Sequence, residues 1–558
     1  MSLNRRQFVK YSSFASFALG YALNSKAFAH DLLKNNSKRI KDSLSGIQDD
    51  PIQNISIGDS SSLDFNGDNI DRPHDILWDV DGYIQRNGGL PEPTIFTHVV
   101  VAGGGMSGLL SAYHLKHLSP VLLEQDKHFG GNSKGEKFGK SEYSIGAAYV
   151  TLPDEGSEIE QFFKELNLTG KFRIESDQET SVIVKNKMMK DFWEGASDPE
   201  NANDFKRVAK ELRRIYDEAY PEIPWLEGSD VSYAELCRLD NMSFEQWITE
   251  TFGAVHPHIL EYFQSYCWSS FVGSIDEISA AQALNFITAE VDGVMALPGG
   301  NACITQALHQ VLRNTLPQGH VVSGAFVIKV AEKNNGKVWV TYEDVNKKFI
   351  TIECDKVICA FPKFVAKYVV ESLSLEKKDA FKKMIYRGYL VTNAIFNKKF
   401  ESVGYDIFSL KGKFSESPTP QKPQNPLTTD VCFGTWAQND QVDYSVMTMY
   451  RPLPYDGGRQ FLFSPMAHQK HLIQSQEELA QFCSVAGYDI KDVKGYRLTR
   501  WGHSVPLAGK GMISSGAVAK IAEPINDKIY FVNQDNWVNP AFECCFSESL
   551  SVAQAIQS

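Results

Sequence analysis

An α/β fold built on a Rossmann-like dinucleotide-binding domain is what three observations predict. The first is a nearly continuous apolar run, Phe96-Thr97-His98-Val99-Val100-Val101-Ala102, of the kind that forms a parallel strand buried on both faces. The second is Gly103-Gly104-Gly105-Met106-Ser107-Gly108 directly after it, with helical spacing from Leu109 to Leu118. The third is another apolar strand, Val121-Leu122-Leu123, ending in Glu124, 21 positions beyond Gly103. Strand, G-x-G-x-x-G, helix, strand and acid in this order make a dinucleotide fingerprint.

Each position in it has a mechanical reason. Gly103 allows the tight turn, Gly105 lets the backbone approach a pyrophosphate, and Gly108 permits close packing of helix on strand. Met106 and Ser107 open the helix, whose free N–H groups face the anion. Glu124 is placed to accept hydrogen bonds from ribose hydroxyls, with Gln125 beside it, and an acid there argues for FAD or NAD over NADP.

The chain before this unit reads differently. Asn4-Arg5-Arg6-Gln7-Phe8-Val9-Lys10, a weakly apolar stretch from Tyr11 to Leu23, and Ala27-Phe28-Ala29 form the pattern of a twin-arginine bacterial export signal cut after Ala29. That pathway carries folded proteins, so it implies a cofactor inserted in the cytoplasm and a periplasmic destination. Residues 30–95 are rich in Asp, Asn, Ser and Lys and are expected to be a loosely packed arm without chemistry.

Composition narrows the classes. The 558 residues carry 56 Lys plus Arg against 68 Asp plus Glu, a net charge of −12, which disfavours nucleic acid and tolerates cationic ligands. No later run is long and apolar enough for a stable membrane span. Nine cysteines show neither paired C-x-x-C nor C-x-x-C-H spacing, so no metal site is expected and most are read as small buried hydrophobes.

The stretch after Glu124 separates FAD from NAD. Phe129-Gly130-Gly131-Asn132-Ser133-Lys134-Gly135, followed by Ile145-Gly146-Ala147-Ala148-Tyr149-Val150, resembles the flavin-containing amine oxidase superfamily, whose second glycine pair wraps the flavin's diphosphate and ribityl chain. Many members have Arg after that pair; here it is Asn132. The run from Gly130 to Lys134 is similar to the bacterial spermidine dehydrogenase branch, which makes Lys134 a phosphate contact or a solvated lysine.

The resemblance extends over roughly residues 96 to 558. It implies an adenine contact at Val327, a strand ending near Ala360, and a ribityl and pyrophosphate turn at Asn533 to Asp535. It also implies a final helix, opened by Phe542, that aims its N-terminus at the flavin. The domains it implies are interleaved in the chain: an FAD-binding Rossmann-like domain of 96–170, 290–383 and 497–558, and a mixed α+β substrate domain of 171–289 and 384–496. Helices are expected over 202–220 and 244–270. The run Phe349 to Cys354 is read as part of a small meander, and Lys356 to Pro362 as a separate strand.

The implied chemistry is removal of a hydride equivalent from the carbon beside an amine nitrogen to flavin N5, giving an imine and then an aldehyde. Substrates are expected to be small amines, polyamines included. Where many family oxidases carry a lysine, the segment Arg387 to Phe396 places Thr392 with Asn393 beside it. A dehydrogenase passing electrons to a carrier protein or quinone is therefore favoured over an oxidase using O2. Arg500-Trp501-Gly502-His503-Ser504 resembles a spermidine dehydrogenase motif, with His503 as base, substrate orienter or structural histidine, and Trp501 as a wall for a cation or plain core. Amino-acid oxidation, desaturation of an apolar chain and flavin binding without turnover are the alternatives. An arginine clamp in the pocket would mark the first of these, and an all-apolar tunnel the second.

Overall fold

The computed structural model describes residues 49–56, 65–176, 180–410, 428–464 and 466–558. The export-signal motif and residues 30–48 of the arm lie outside them.

A seven-stranded sheet carries the fingerprint. Ile95–Ala102 lies at its centre between Val121–Leu123 and Phe349–Cys359, parallel to both. Val99, Val100, Val101 and Ala102 are fully buried, as expected of a strand covered on both faces. The helix Met106–His114 packs against this strand and the C-terminal helix Phe542–Gln557.

One element differs from the sequence expectation. Phe349–Cys359 is a single strand of 11 residues rather than a meander strand and a separate later one. Its first half pairs antiparallel with Val338–Glu343, its second half parallel with Ile529–Phe531, and its opposite edge runs along Ile95–Ala102. Asp355, at the middle, breaks the apolar run without breaking the strand, because its side chain points to the surface and meets Lys337 and His98.

A second sheet of eight strands lies beyond the first and includes Asp406–Leu410, Asp430–Phe433, Val446–Pro452, Tyr386–Phe396 and Val493–Pro506. Val493–Pro506 stays paired with Tyr386–Phe396 as far as Pro506. The expected crossing at 497 therefore falls inside a continuous strand, and the chain leaves this sheet only after Pro506. The helix expected over 244–270 is two helices, Phe244–Phe252 and Pro257–Phe271. Gly253 takes φ +68° and Pro257 starts the second, the usual stop and start signals.

The N-terminal arm is also more ordered than its composition suggests. Ile52–Asn54 pairs with Gly135–Phe138, Asn66–Gly67 pairs with Val493–Pro506, and two short helices, Asp71–Leu77 and Val80–Arg86, bury Ile76, Leu77, Val80 and Ile84. The few apolar residues are spaced to fall on one side, which a composition average conceals.

All nine cysteines are free thiols, and seven are buried. Among the described residues, no helix is long and apolar enough to cross a membrane.

Candidate active site

Local geometry follows the fingerprint's mechanics. Gly103 takes φ +117°, and a Cβ there would sit 2.5 Å from the Ala360 carbonyl oxygen. A Cβ on Gly108 would meet the Gly103 oxygen at 1.8 Å, so the helix approaches this closely only because that position is bare. At Gly105 the nearest protein atom to an added Cβ is Gly131 Cα at 3.6 Å, which leaves the backbone open to a ligand. Gly130 donates its N–H to the Gly104 oxygen at 2.8 Å, locking the two glycine loops together.

Glu124 closes this turn. Its carboxylate accepts from Gly104 N at 2.7 Å and Asp126 N at 2.8 Å. Burial raises its pKa, with Lys134 opposing. Lys134 is itself paired with Asp126. Burial alone would raise Asp126, yet the lysine beside it holds that carboxyl below its ordinary range.

Around these residues lies a cavity of about 840 Å³, lined by Gly103, Gly105, Glu124, Gln125, Gly131, Asn132, Lys134, Val327 and Ala360 on one side and by Trp501 and His503 on another. Asn132 and Trp501 also line a smaller cavity of about 230 Å³, so these two residues border both. Asn132 Nδ2 donates to the Ser504 oxygen at 2.5 Å, and Trp501 Nε1 to the Ile145 oxygen at 2.8 Å.

The smaller cavity takes Gly146, Ala147, Ala148 and Phe542 from the predicted set. Residues that the sequence did not single out complete it: Glu290, Tyr389, Val391, Asp430, Tyr450, Gln534 and Glu543. Among the described residues lining it, none is Lys, Arg or His. Glu543 accepts from Thr151 N at 3.0 Å and Thr151 Oγ1 at 2.5 Å, and burial raises its pKa. Glu290 accepts from the hydroxyls of Tyr149 at 2.7 Å and Tyr266 at 2.8 Å. Asp430 is raised by burial, and neighbouring Asp406 is raised by burial and then by Asp430 and Glu175.

Several predicted residues stand elsewhere. Met106, Ser107 and Gly108 form the start of the helix behind the turn, outside both linings, and Ser107 offers its carbonyl to Ser111 and Ser549. Asn533 and Asp535 also fall outside the linings: the Asn533 amide oxygen accepts from Lys363 Nζ at 2.5 Å, and Asp535 accepts from Lys363 N and the Tyr386 hydroxyl. Gln534, between them, faces the smaller cavity instead.

Thr392 and Asn393 are corrected as catalytic candidates. Thr392 Oγ1 meets Ser475 Oγ at 3.1 Å on the far side of the sheet, and Asn393 is held by the Ser144 carbonyl and the Thr448 hydroxyl. Tyr389 and Val391, on the face opposite to Thr392 that the strand's period of two dictates, line the cavity; Asn393 shares their face but has both ends of its amide taken by Ser144 and Thr448.

FAD fits these residues. The glycine cradle leaves backbone open beside an acid set for a ribose, and Asn301 Oδ1, buried in the lining of the smaller cavity, has no partner among the described residues. A glycine cradle on a dinucleotide-binding sheet, with a second cavity bordering it, is the arrangement of an enzyme that uses a dinucleotide cofactor. The chain belongs to the flavin containing amine oxidoreductase family, which it matches over residues 106–509, and its cofactor is FAD. It is 22% identical to Oxidoreductase PigB of Serratia sp. (strain ATCC 39006) over 517 residues, 82% of this chain and 75% of that protein. Putrescine oxidase bound to putrescine has a similar fold, with 17% identity and a TM-score of 0.63 over 83% of this chain and 100% of that one. Cyclohexylamine oxidase from Brevibacterium oxydans IH-35A gives 14% and 0.60 over 83% and 100%.

Proposed function

We propose that this enzyme oxidises an amine, polyamines included, at the carbon beside nitrogen, giving an imine that water converts to an aldehyde. The observation that carries this reading is the lining of the smaller cavity: Glu290, Asp430 and Glu543 among the rings of Tyr149, Tyr389, Tyr450 and Trp501, with no cationic side chain. Carboxylates and aromatic faces both attract an ammonium. An amino-acid carboxylate would meet no arginine clamp, and an apolar chain would bury these acids against hydrocarbon at a cost.

The residues divide the work. Bound FAD supplies the acceptor for the hydride equivalent. Carboxyl groups raised by burial, Asp430 and Glu543, take up a proton readily, and so deliver the amine in its neutral, oxidisable form. Tyr149 and Glu290 also line a further recess of about 90 Å³ that includes Glu175 and Asp406, which favours a substrate with a second positive charge.

The likeness of Gly130 to Lys134 and Arg500 to Ser504 to spermidine dehydrogenases supports the same substrate class. The absence of lysine from Tyr386–Phe396 favours a dehydrogenase that hands electrons to a carrier protein or quinone rather than to O2. The twin-arginine motif at residues 4–10 supports export of the folded holoenzyme through the twin-arginine translocon to the periplasm. The test is an anaerobic titration of the FAD-loaded enzyme with spermidine, monoamines and L-amino acids, followed by air. Bleaching of the flavin by amines with slow recolouring supports the reading, and bleaching by amino acids alone overturns it.

A further inference from the structure

The cavity that receives the dinucleotide has a wall that comes from outside the family match. Gly67, Asp68, Asn69, Arg72, His74 and Trp78 line it together with the fingerprint glycines, all six of them before residue 106, where the match begins. We infer that residues 66–78 form a strap that closes over bound FAD and sets how long the cofactor is retained. The inference rests on the FAD assignment and is independent of which substrate the enzyme oxidises.

The strap is fastened at both ends to different sheets. At one end Asn66 and Gly67 pair in parallel with Thr499 and Arg500 of the second sheet. Asp68 then accepts from Arg500 Nε at 2.9 Å and from Gly502 N at 2.6 Å. Four residues on, Arg72 reaches the dinucleotide sheet. Its Nε donates to Glu343 Oε1 at 3.1 Å, its Nη2 to the Glu343 carbonyl at 2.8 Å, and its Nη1 to the Gly324 carbonyl at 3.1 Å. Glu343 is only 1% exposed, and the Tyr83 hydroxyl also donates to it.

The placement of these fasteners matters more than their number. Glu343 pairs in register with Phe326, the residue next to Val327, and Arg72 Nη1 also approaches the Gln125 carbonyl at 3.4 Å. The strap is thus tied down beside Glu124 and Gln125 at one edge of the cavity and beside Trp501 and His503 at the other. A dinucleotide lying along the glycine turns would share this cavity with the strap, so the strap's two fastenings bear on how readily it leaves. Arg72 and Asp68 act on the cofactor through the strap and are positioning residues, because their own polar groups are engaged by protein.

The test follows the release of flavin, whose fluorescence rises when it leaves the protein, after dilution of the holoenzyme. Asp68→Asn weakens one fastening. The pair Arg72→Ala with Glu343→Gln removes the other without leaving a buried carboxylate unpaired. Each is expected to speed FAD release at least tenfold while the visible spectrum of the bound flavin stays as in the wild type. In the wild-type chain, hydrogen exchange of amides 66–78 is expected to slow when FAD is added to apoprotein. Release at the wild-type rate in both variants overturns the inference. So does exchange across 66–78 that is the same with and without FAD, whether or not the variants fold.

Discussion

Arg459 donates a hydrogen bond to Nε2 of His503, which fixes the imidazole as a neutral acceptor with its proton on Nδ1. The ring also stacks on Phe364 at 4.1 Å. Burial, with Arg459, His74 and Lys367 adding to it, draws the pKa of His503 down to about 3. Between that value and the unfolded one near 6.5, the unfolded chain binds a proton that the folded chain does not. The stability this histidine contributes is therefore complete above about pH 6.5 and is lost as pH falls through about 3.

His503→Gln is thus expected to move the acid unfolding midpoint to lower pH and to leave the pH–rate profile above pH 5 with its wild-type shape. A limb between pH 6 and 8 that disappears in this variant would show that His503 titrates during turnover.

The fingerprint makes a prediction that separates folding from cofactor binding. Gly108→Ala places a methyl 1.8 Å from the Gly103 oxygen, so both thermal stability and FAD binding are expected to fall. Gly105→Ala meets no protein atom nearer than 3.6 Å, so the chain is expected to keep its Tm and lose FAD affinity. Glu124→Ala removes a buried acceptor of two backbone N–H groups, and FAD affinity is expected to drop by roughly 10- to 100-fold on the usual value of a charge-assisted hydrogen bond. Equilibrium dialysis with flavin, alongside melting curves, reads all three.

What the sequence made legible was local. Gly103 to Lys134 is nearly contiguous, and its spacing encodes its geometry directly, so most of the larger cavity's glycine side was in view. The smaller cavity was not. Glu290 follows one helix, Asp430 begins a strand in another sheet, and Glu543 lies in the first turn of the last helix, so only tertiary packing brings them together. The strap escaped notice because its composition is polar, although Asp68 and Arg72 are spaced to reach two sheets.

Thr392 shows the limit most sharply, since the segment was found and the face was not. In a strand a shift of one residue moves a side chain to the opposite surface. Thr392→Lys is therefore expected to lower Tm by burying an ammonium against Ser475, with no gain in reaction with O2. Val391, which faces the cavity, is the position where a lysine would approach the site, and oxygen consumption by Val391→Lys against Thr392→Lys measures the difference.

Asp430 tests the anionic cavity itself. The residue is 3% exposed and its carboxyl is raised by burial, so the folded chain holds a proton that the unfolded chain releases as pH rises past the ordinary carboxylate range. Folding stability therefore declines across that window, and the charged form is the costly one at neutral pH. Asp430→Asn keeps an acceptor for the Thr429 hydroxyl and removes the charge, so Tm is expected to rise by roughly 1–3 °C at neutral pH. Amine binding is expected to change in the opposite sense, with Kd rising by roughly 10-fold or more as a charge-assisted partner is lost. In the wild type, affinity for a cationic amine should strengthen as pH rises and Asp430 ionises, and in Asp430→Asn that pH dependence should flatten. A variant that gains stability yet binds amines as tightly as the wild type would place the ammonium against Glu290 or Glu543 instead.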